Sequence, residues 1–342
     1  MKRSGAEKIF IYLVGVVLGL FILQLMPRKE RSNEPHPWHA QTAPEGTYPL
    51  TVTDDYGREV ELAEQPRWIV SLAPSMTETL FAMDMGDHLS AVTEWDTYPE
   101  RARTLRDQGF SVGSLDQPDI ERIYTLPADV VLGSKLTPRH VYEKIQRERR
   151  PKALAFDASS LDDFLGQDLP ALGRLLGVPG KALDLVKALR ERRAAVAERL
   201  APVRDEPPRR VVLLLGLEDN LAPGWSPGSG TWLDALIAEA HGENAAAALG
   251  TQWGQFPLEG LLAAEPDVIF IKDGDTPAEA AVLREQLARL PEHPVWRHLR
   301  AVREGRLVIL PSGPVNIPGP RMLDLLEALS AGTWPEAVPA GA

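Results

Sequence analysis

Six short apolar runs alternate along this chain with segments of helical period: Trp68 to Leu72, Val130 to Leu132, Leu154 to Phe156, Val211 to Leu215, Val268 to Ile271 and Leu307 to Leu310. Short buried strands separated by helices imply parallel α/β layers. Pro179 to Leu200 breaks the alternation. Pro179 suits a first-turn position, strong helix formers follow, and Ala182, Val186, Leu189, Val196 and Leu200 lie near one face, so the segment predicts one continuous helix. At 1.5 Å per residue it reaches roughly 33 Å, the width of a small domain. Since 342 residues exceed what one core usually organises, the helix divides two α/β lobes.

A repeat supports two lobes of similar build. "IERIYTLPADVV" from Ile120 and "LEGLLAAEPDVI" from Leu258 share an aliphatic-Glu start, an aliphatic three positions on, and Asp-Val at the same offset. Each predicts a short helix feeding a buried strand. The folded part opens with "LTVTDDYGREVEL", two alternating stretches around Asp55-Tyr56-Gly57 that predict a β-hairpin.

Ahead of the hairpin, Ile9 to Met26 is an 18-residue uncharged stretch, long enough to cross a hydrocarbon core as a single transmembrane helix. Lys2, Arg3 and Lys8 precede it, and no small-residue cleavage site follows, so an uncleaved signal anchor is expected. Residues 27–47, rich in Pro and polar groups, are expected to act as a tether with a mean reach of roughly 25 Å.

The net charge of -11 excludes an extensive phosphate-binding surface, and no nucleic-acid partner is expected. The absence of Cys removes disulfides, thiolate metal sites and a lipidated N-terminal Cys. Gly224-Trp225-Ser226-Pro227-Gly228 fits the G-x-S-x-G pattern of a nucleophile elbow. Pro227 opposes that assignment, because the residue after the nucleophile must offer a backbone N–H to the oxyanion hole. A Gly/Pro-shaped loop before a helix capped by Ser229 or Thr231 is the competing expectation. His293 and His298 are five apart, off the helical metal-pair spacing, so neither a metal site nor a cofactor is expected.

Two further constellations remain. Ser75-x-x-Glu78 matches a capping box that would open a helix after the first strand. Trp95, Trp225 and Trp253 fall in loops beyond strands, with Tyr98 and Phe256 nearby. Loops at strand C-termini line the crevice where open α/β sheets bind ligands, so these five residues are the candidate cleft wall.

In order, "RWIVSLAPSMTETLFAM", "VTEWDTYPERA", "VGSLDQPDIERIYTLPADVVLGS", "GSGTWLDALIAEAHGENAA", "WGQFPLEGLLAAEPDVIFI" and "HPVWRHLRAVREGRLVILP" resemble the periplasmic solute-binding proteins of ABC importers for iron-siderophores, haem and cobalamin. The resemblance covers about residues 48 to 332. It implies two α/β lobes joined by one long backbone helix, cargo held between them, and a carboxylate on each lobe docking with the ABC permease subunits. Glu78 sits at the matching docking position of the first lobe. In the second, Ala238 stands where the family has Glu, and Glu239 follows one residue later.

The chain is therefore divided into an anchor (1–26), a tether (27–47), a first lobe (48–158), a linker with the backbone helix (159–205), a second lobe (206–333) and a Pro/Ala-rich tail (334–342). The expected protein is a receptor and not an enzyme. Held to the cytoplasmic membrane through residues 9–26 with its folded part on the outer side, it captures a metal chelate, a corrinoid in preference to an iron-siderophore or haem. Trp95 and Trp253 match cleft aromatics of cobalamin-binding relatives, and Lys135, Arg139 and Arg321 are the only cations near the expected rim. A hydrolase using Ser226 or His293 and His298, and a non-transporting sensor or scaffold, remain the alternatives.

Overall fold

The computed structural model describes residues 48–147 and 151–338. The expected anchor and the whole of the expected tether lie outside these residues, and among the described residues no helix is long and apolar enough to cross a membrane.

The chain enters through a hairpin, β1 (Leu50–Thr53) and β2 (Glu59–Leu62), paired antiparallel. Its turn is fixed by Asp54, whose Oδ1 accepts from the N–H groups of Tyr56 (3.1 Å) and Arg58 (2.9 Å), while Gly57 takes φ 72°. The Arg58 guanidinium pairs with the Asp54 carboxylate and donates to the Ala153 carbonyl at 3.0 Å, tying the hairpin to the first sheet. Both side chains are buried, Asp54 fully and Arg58 to 8% exposure.

The first sheet follows: β3 (Ile69–Ser71), α1 (Pro74–Ala82), β4 (Leu89–Ala91), α2 (Glu100–Asp107), α3 (Ile120–Thr125), β5 (Val130–Gly133), α4 (Arg139–Ile145) and β6 (Lys152–Ala155). All its strands are parallel, in the order β4-β3-β5-β6. Val70, Leu72, Val131, Ile123, Tyr142 and Ile145 form the core of this lobe.

A helical segment ending in α5 (Leu169–Leu175) leads to α6 (Pro179–Leu200), the predicted long helix, with Pro179 at its start. Its buried residues are Ala182, Val186, Leu189, Val196 and Leu200, the stripe expected from the sequence.

The second sheet repeats the first. Its elements are β7 (Arg209–Leu214), β8 (Trp225–Pro227), α7 (Trp232–Glu239), β9 (Gly242–Asn244), β10 (Trp253–Gln255), α8 (Leu258–Ala264), β11 (Val268–Lys272), α9 (Pro277–Arg289), α10 (Arg300–Arg303), β12 (Leu307–Leu310), α11 (Ser312–Asn316) and α12 (Met322–Thr333). The parallel order is β12-β11-β7-β9, with β8 and β10 forming a separate antiparallel ribbon. Counted within each lobe by chain order, both sheets have the order 2-1-3-4. The repeated sequence segments occupy equivalent places: α3 feeds β5 and α8 feeds β11, the third strand of each sheet. Val212, Leu214, Ile269, Ile271, Leu290 and Trp296 belong to a core separate from the first lobe's.

The expected tail differs from what is observed. Trp334 is 1% exposed, donates from Nε1 to the His241 carbonyl at 3.0 Å, and is covered by Arg209 at 3.9 Å, because its indole fills the outer side of the second lobe. Residues up to Val338, itself buried, belong to that lobe's packing.

Removing one partner of a buried ion pair leaves an uncompensated charge at a cost of about 3–5 kcal/mol. Asp54→Ala should therefore lower the unfolding free energy by about 3 kcal/mol in urea titrations, with the loss of the turn hydrogen bonds included; a change near zero would show that the hairpin does not depend on this pair.

Candidate functional site

In open sheets of order 2-1-3-4, ligands collect outside the carboxyl ends of the strands, near the point where the chain reverses its winding. In the first lobe that point lies between β3 and β5. The loop after β4 contributes the aromatic residues. Asp96 Oδ2 accepts from the Thr93 N–H at 2.7 Å and its hydroxyl at 2.6 Å, which pins residues 93–96 into a tight turn. Asp96 is fully buried, and burial raises its carboxyl above the usual range against the opposing pull of the Thr93 hydrogen bonds. The turn leaves Trp95 37% and Tyr98 50% exposed.

In the second lobe the ribbon provides the aromatic face. Trp225 stands opposite Gln255, and Trp253 opposite Pro227, so both indoles lie on one face of the ribbon as diagonal neighbours. Ser226 and Gly254 take the other face. Both Trp225 and Trp253 are partly exposed. Phe256 departs from expectation: it is 5% exposed and packs in the second-lobe core, because the chain has left the ribbon at Gln255 and turns inward before α8.

The same ribbon accounts for the G-x-S-x-G match. Ser226 is fully buried, and its hydroxyl donates to the Leu213 carbonyl of β7 at 2.8 Å. The flanking glycines are required by close backbone approach. A Cβ on Gly224 would stand 2.6 Å from the Gly216 carbonyl oxygen, and one on Gly228 would overlap the Thr251 carbonyl. Thr231 caps α7, accepting from the Asp234 N–H at 3.1 Å, as one of the expected alternatives has it. His293 Nδ1 accepts from the Val295 N–H at 3.2 Å and serves the local turn. Among the described residues, no group of three His, Cys, Asp or Glu side chains is arranged to hold a metal.

The carboxylates assigned to docking are engaged within the molecule. The capping box does not form: α1 begins at Pro74 with Ala73 as N-cap, so Ser75 already lies inside the first turn and cannot precede it as cap. Glu78 is instead 3% exposed and held by Arg321 of the second lobe, with Nε to Oε2 at 2.7 Å and a second bond from Nη2 to Oε1. Burial raises its carboxyl, and the Arg321 hydrogen bond only partly offsets this. Glu239 pairs with Arg193 of α6, Nη2 to Oε2 at 3.1 Å, while Ala238 is exposed. Sequence reasoning passed over Glu121 and Glu259. Each stands in the first turn of an equivalent helix, α3 or α8, each is exposed, and neither has an ion-pair partner among the described residues. The half-repeat was the signal that could have found them.

The expected rim cations are also paired: Lys135 with Asp157 at 4.0 Å, Arg139 with Glu143 at 2.8 Å, and Arg321 with Glu78. The Arg321 guanidinium lies 4.3 Å from the Tyr98 ring centroid.

Ser226→Ala tests the assignment of the serine. Losing one buried hydrogen bond should cost about 1 kcal/mol of stability, and no hydrolytic turnover should depend on the hydroxyl. Ligand turnover that disappears in this variant would reinstate the nucleophile.

Comparison with known proteins agrees with the two-lobed α/β fold. The chain is 26% identical over 319 residues to a cobalamin-binding protein of Halobacterium salinarum strain R1, covering 92% of this chain and 82% of that protein. It is 24% identical over 291 residues to the ABC transporter substrate-binding lipoprotein YvrC of Bacillus subtilis strain 168, covering 84% and 87%. Among solved structures, the periplasmic heme-binding protein RhuT from Roseiflexus sp. RS-1 in apo form is similar with a TM-score of 0.63 at 27% identity, covering 78% of this chain and 99% of that one. The periplasmic binding protein profile matches residues 69–314, from the first strand of the first sheet into α11 of the second lobe, and the chain belongs to that family.

Proposed function

We propose that this chain is the substrate-binding component of an ABC importer that captures a bulky metal chelate between its lobes, a corrinoid in preference to an iron-siderophore or haem, and delivers it to the permease. Residues 9–26 tether it to the cytoplasmic membrane, with the folded lobes on the outer side. Trp95 and Tyr98 from one lobe and Trp225 and Trp253 from the other form the walls; Phe256 is left out of them, packed in the second-lobe core.

The observation that carries the choice of cargo is the pairing of Lys135, Arg139 and Arg321 with carboxylates of the same molecule. A haem propionate or an anionic siderophore would have to compete with Asp157, Glu143 or Glu78 for its cation. A large ligand whose recognition rests on apolar and aromatic area does not meet that competition. Names of relatives support the class of cargo: one relative is a cobalamin-binding protein and one structural neighbour a heme-binding protein.

Titration of the purified full chain with cobalamin, haem and a ferric hydroxamate tests this. Cobalamin should quench tryptophan fluorescence saturably, and Trp253→Ala should weaken its binding roughly tenfold by removal of a stacked indole. Saturable binding of haem alone would overturn the corrinoid assignment, and binding of none of the three would favour a sensor or scaffold.

Permease docking falls to Glu121 and Glu259, the pair of exposed carboxylates related by the internal repeat. Reversing either, Glu121→Arg or Glu259→Arg, should lower association with the cognate permease by at least about tenfold while cargo affinity stays unchanged. Loss of cargo binding in these variants, or undiminished association, would overturn the assignment.

A further inference from the structure

Glu78 has neither of the roles its sequence context offers. It does not cap α1, and it is not presented at the surface. It forms the best-buried charge contact between the two lobes. The Glu78 side chain is 2% exposed and that of Arg321 is 16% exposed. The segment around Arg321 is shaped for this contact. Gly319 packs against Ser75, and Pro318 joins Ser75, Met76 and Thr79 in lining a cavity of about 20 Å³, room for about one water. Gly313 leaves the guanidinium its place, since a Cβ there would stand 2.5 Å from Nη1. Tyr98, on the aromatic loop of the first lobe, covers the guanidinium face.

The second lobe presents Arg321 from a fixed base. Arg321 is the N-cap residue of α12, and Arg192 of α6 holds that helix through Asp324 at 2.7 Å and Glu327 at 2.9 Å. Any movement that separates α12 from α1 must therefore withdraw Arg321 from Glu78.

We propose that the Glu78–Arg321 pair is a latch between the lobes: it forms when they close, and it must break for the cleft to open. A buried ion pair adds little to net stability, because desolvation cancels most of the attraction. It does make the closed arrangement specific. With one partner gone, the remaining charge is left without a counter-ion in the closed form and is hydrated in the open form, so each single replacement shifts the balance toward opening.

Because the chain contains no Cys, spin labels can be placed uniquely. Gln117→Cys and Asp219→Cys put one label at an exposed position on each lobe. Interlabel distances are then measured by pulsed electron spin resonance on the full chain in detergent, without cargo. The unaltered pair should give a single short distance. Glu78→Gln and Arg321→Gln should each add a longer population, raising the open-to-closed ratio on the order of 100-fold, and the double variant, which strands no charge, should lie closer to the unaltered chain than either single. Gly313→Ala keeps every charge but pushes the guanidinium aside, and should open the lobes likewise. Wild-type distances in Gly313→Ala, or in natively folded Glu78→Gln and Arg321→Gln, would overturn the latch, as would a distribution already broad in the unaltered chain. No ligand enters the measurement, so its outcome is independent of the cargo assignment.

Discussion

Two adjacent arginines on the long helix α6 fix much of what the rest of the molecule can do. Arg192 binds Asp324 and Glu327 of α12, and Arg193 binds Glu239 at the end of α7 and Asp162 ahead of α5. Successive helix positions point about 100° apart, so the two guanidinium groups reach different elements from one short stretch of helix. Beneath them the apolar stripe from Ala182 to Leu200 is buried, and Gly173 of α5 lets that helix press close to Ala182. The linker is thus packed along its length, and relative movement of the lobes is confined to small rotations that leave this packing intact.

Such a frame places strong demands on the cleft. A receptor that closes only slightly cannot wrap its cargo, so affinity must come from walls already in place. The proposed walls stand on rigid supports: the Trp95 turn is held by Asp96 and Thr93, and the Trp225–Trp253 ribbon is held to β7 by the Ser226 hydroxyl. Aromatic side chains suit this task because they offer large area at little cost in side-chain entropy. The paired rim cations fit the same scheme, since they define the rim without exposing unsatisfied charge.

Much of this fold was legible in the sequence, and the exceptions have physical causes. The long helix could be placed to the residue because Pro179 and the 182–200 stripe are local signals. The central strands were legible as buried aliphatic runs. The missed strands β4 and β9 are three-residue edge strands, too short to show a period. The ribbon was hidden by Pro227 and Gly254, which read as loop residues. Ser75-x-x-Glu78 matched a capping box by spacing, but the partner that takes Glu78 is 243 positions away, and no local pattern announces it. Phe256 was assigned to the wrong side because a single position past the ribbon's end decides between cleft and core. Glu121 and Glu259 were visible as a repeat, yet their exposure and their lack of an ion-pair partner among the described residues are properties of the folded chain.

The chemistry of the lobe seam follows from the need for reversibility. An apolar contact of similar area would favour closure by about 25 cal/mol for each Å² buried and would release only against that full cost. In an ion pair, two large and opposed quantities nearly cancel: desolvation of Glu78 and Arg321 disfavours the closed form, and their mutual attraction favours it. The raised proton affinity of Glu78 reflects the first of these directly. The resulting balance is shallower than that of an apolar seam, so a modest free energy favouring the open form is enough to release it, whereas a greasy seam would resist opening by its full buried area.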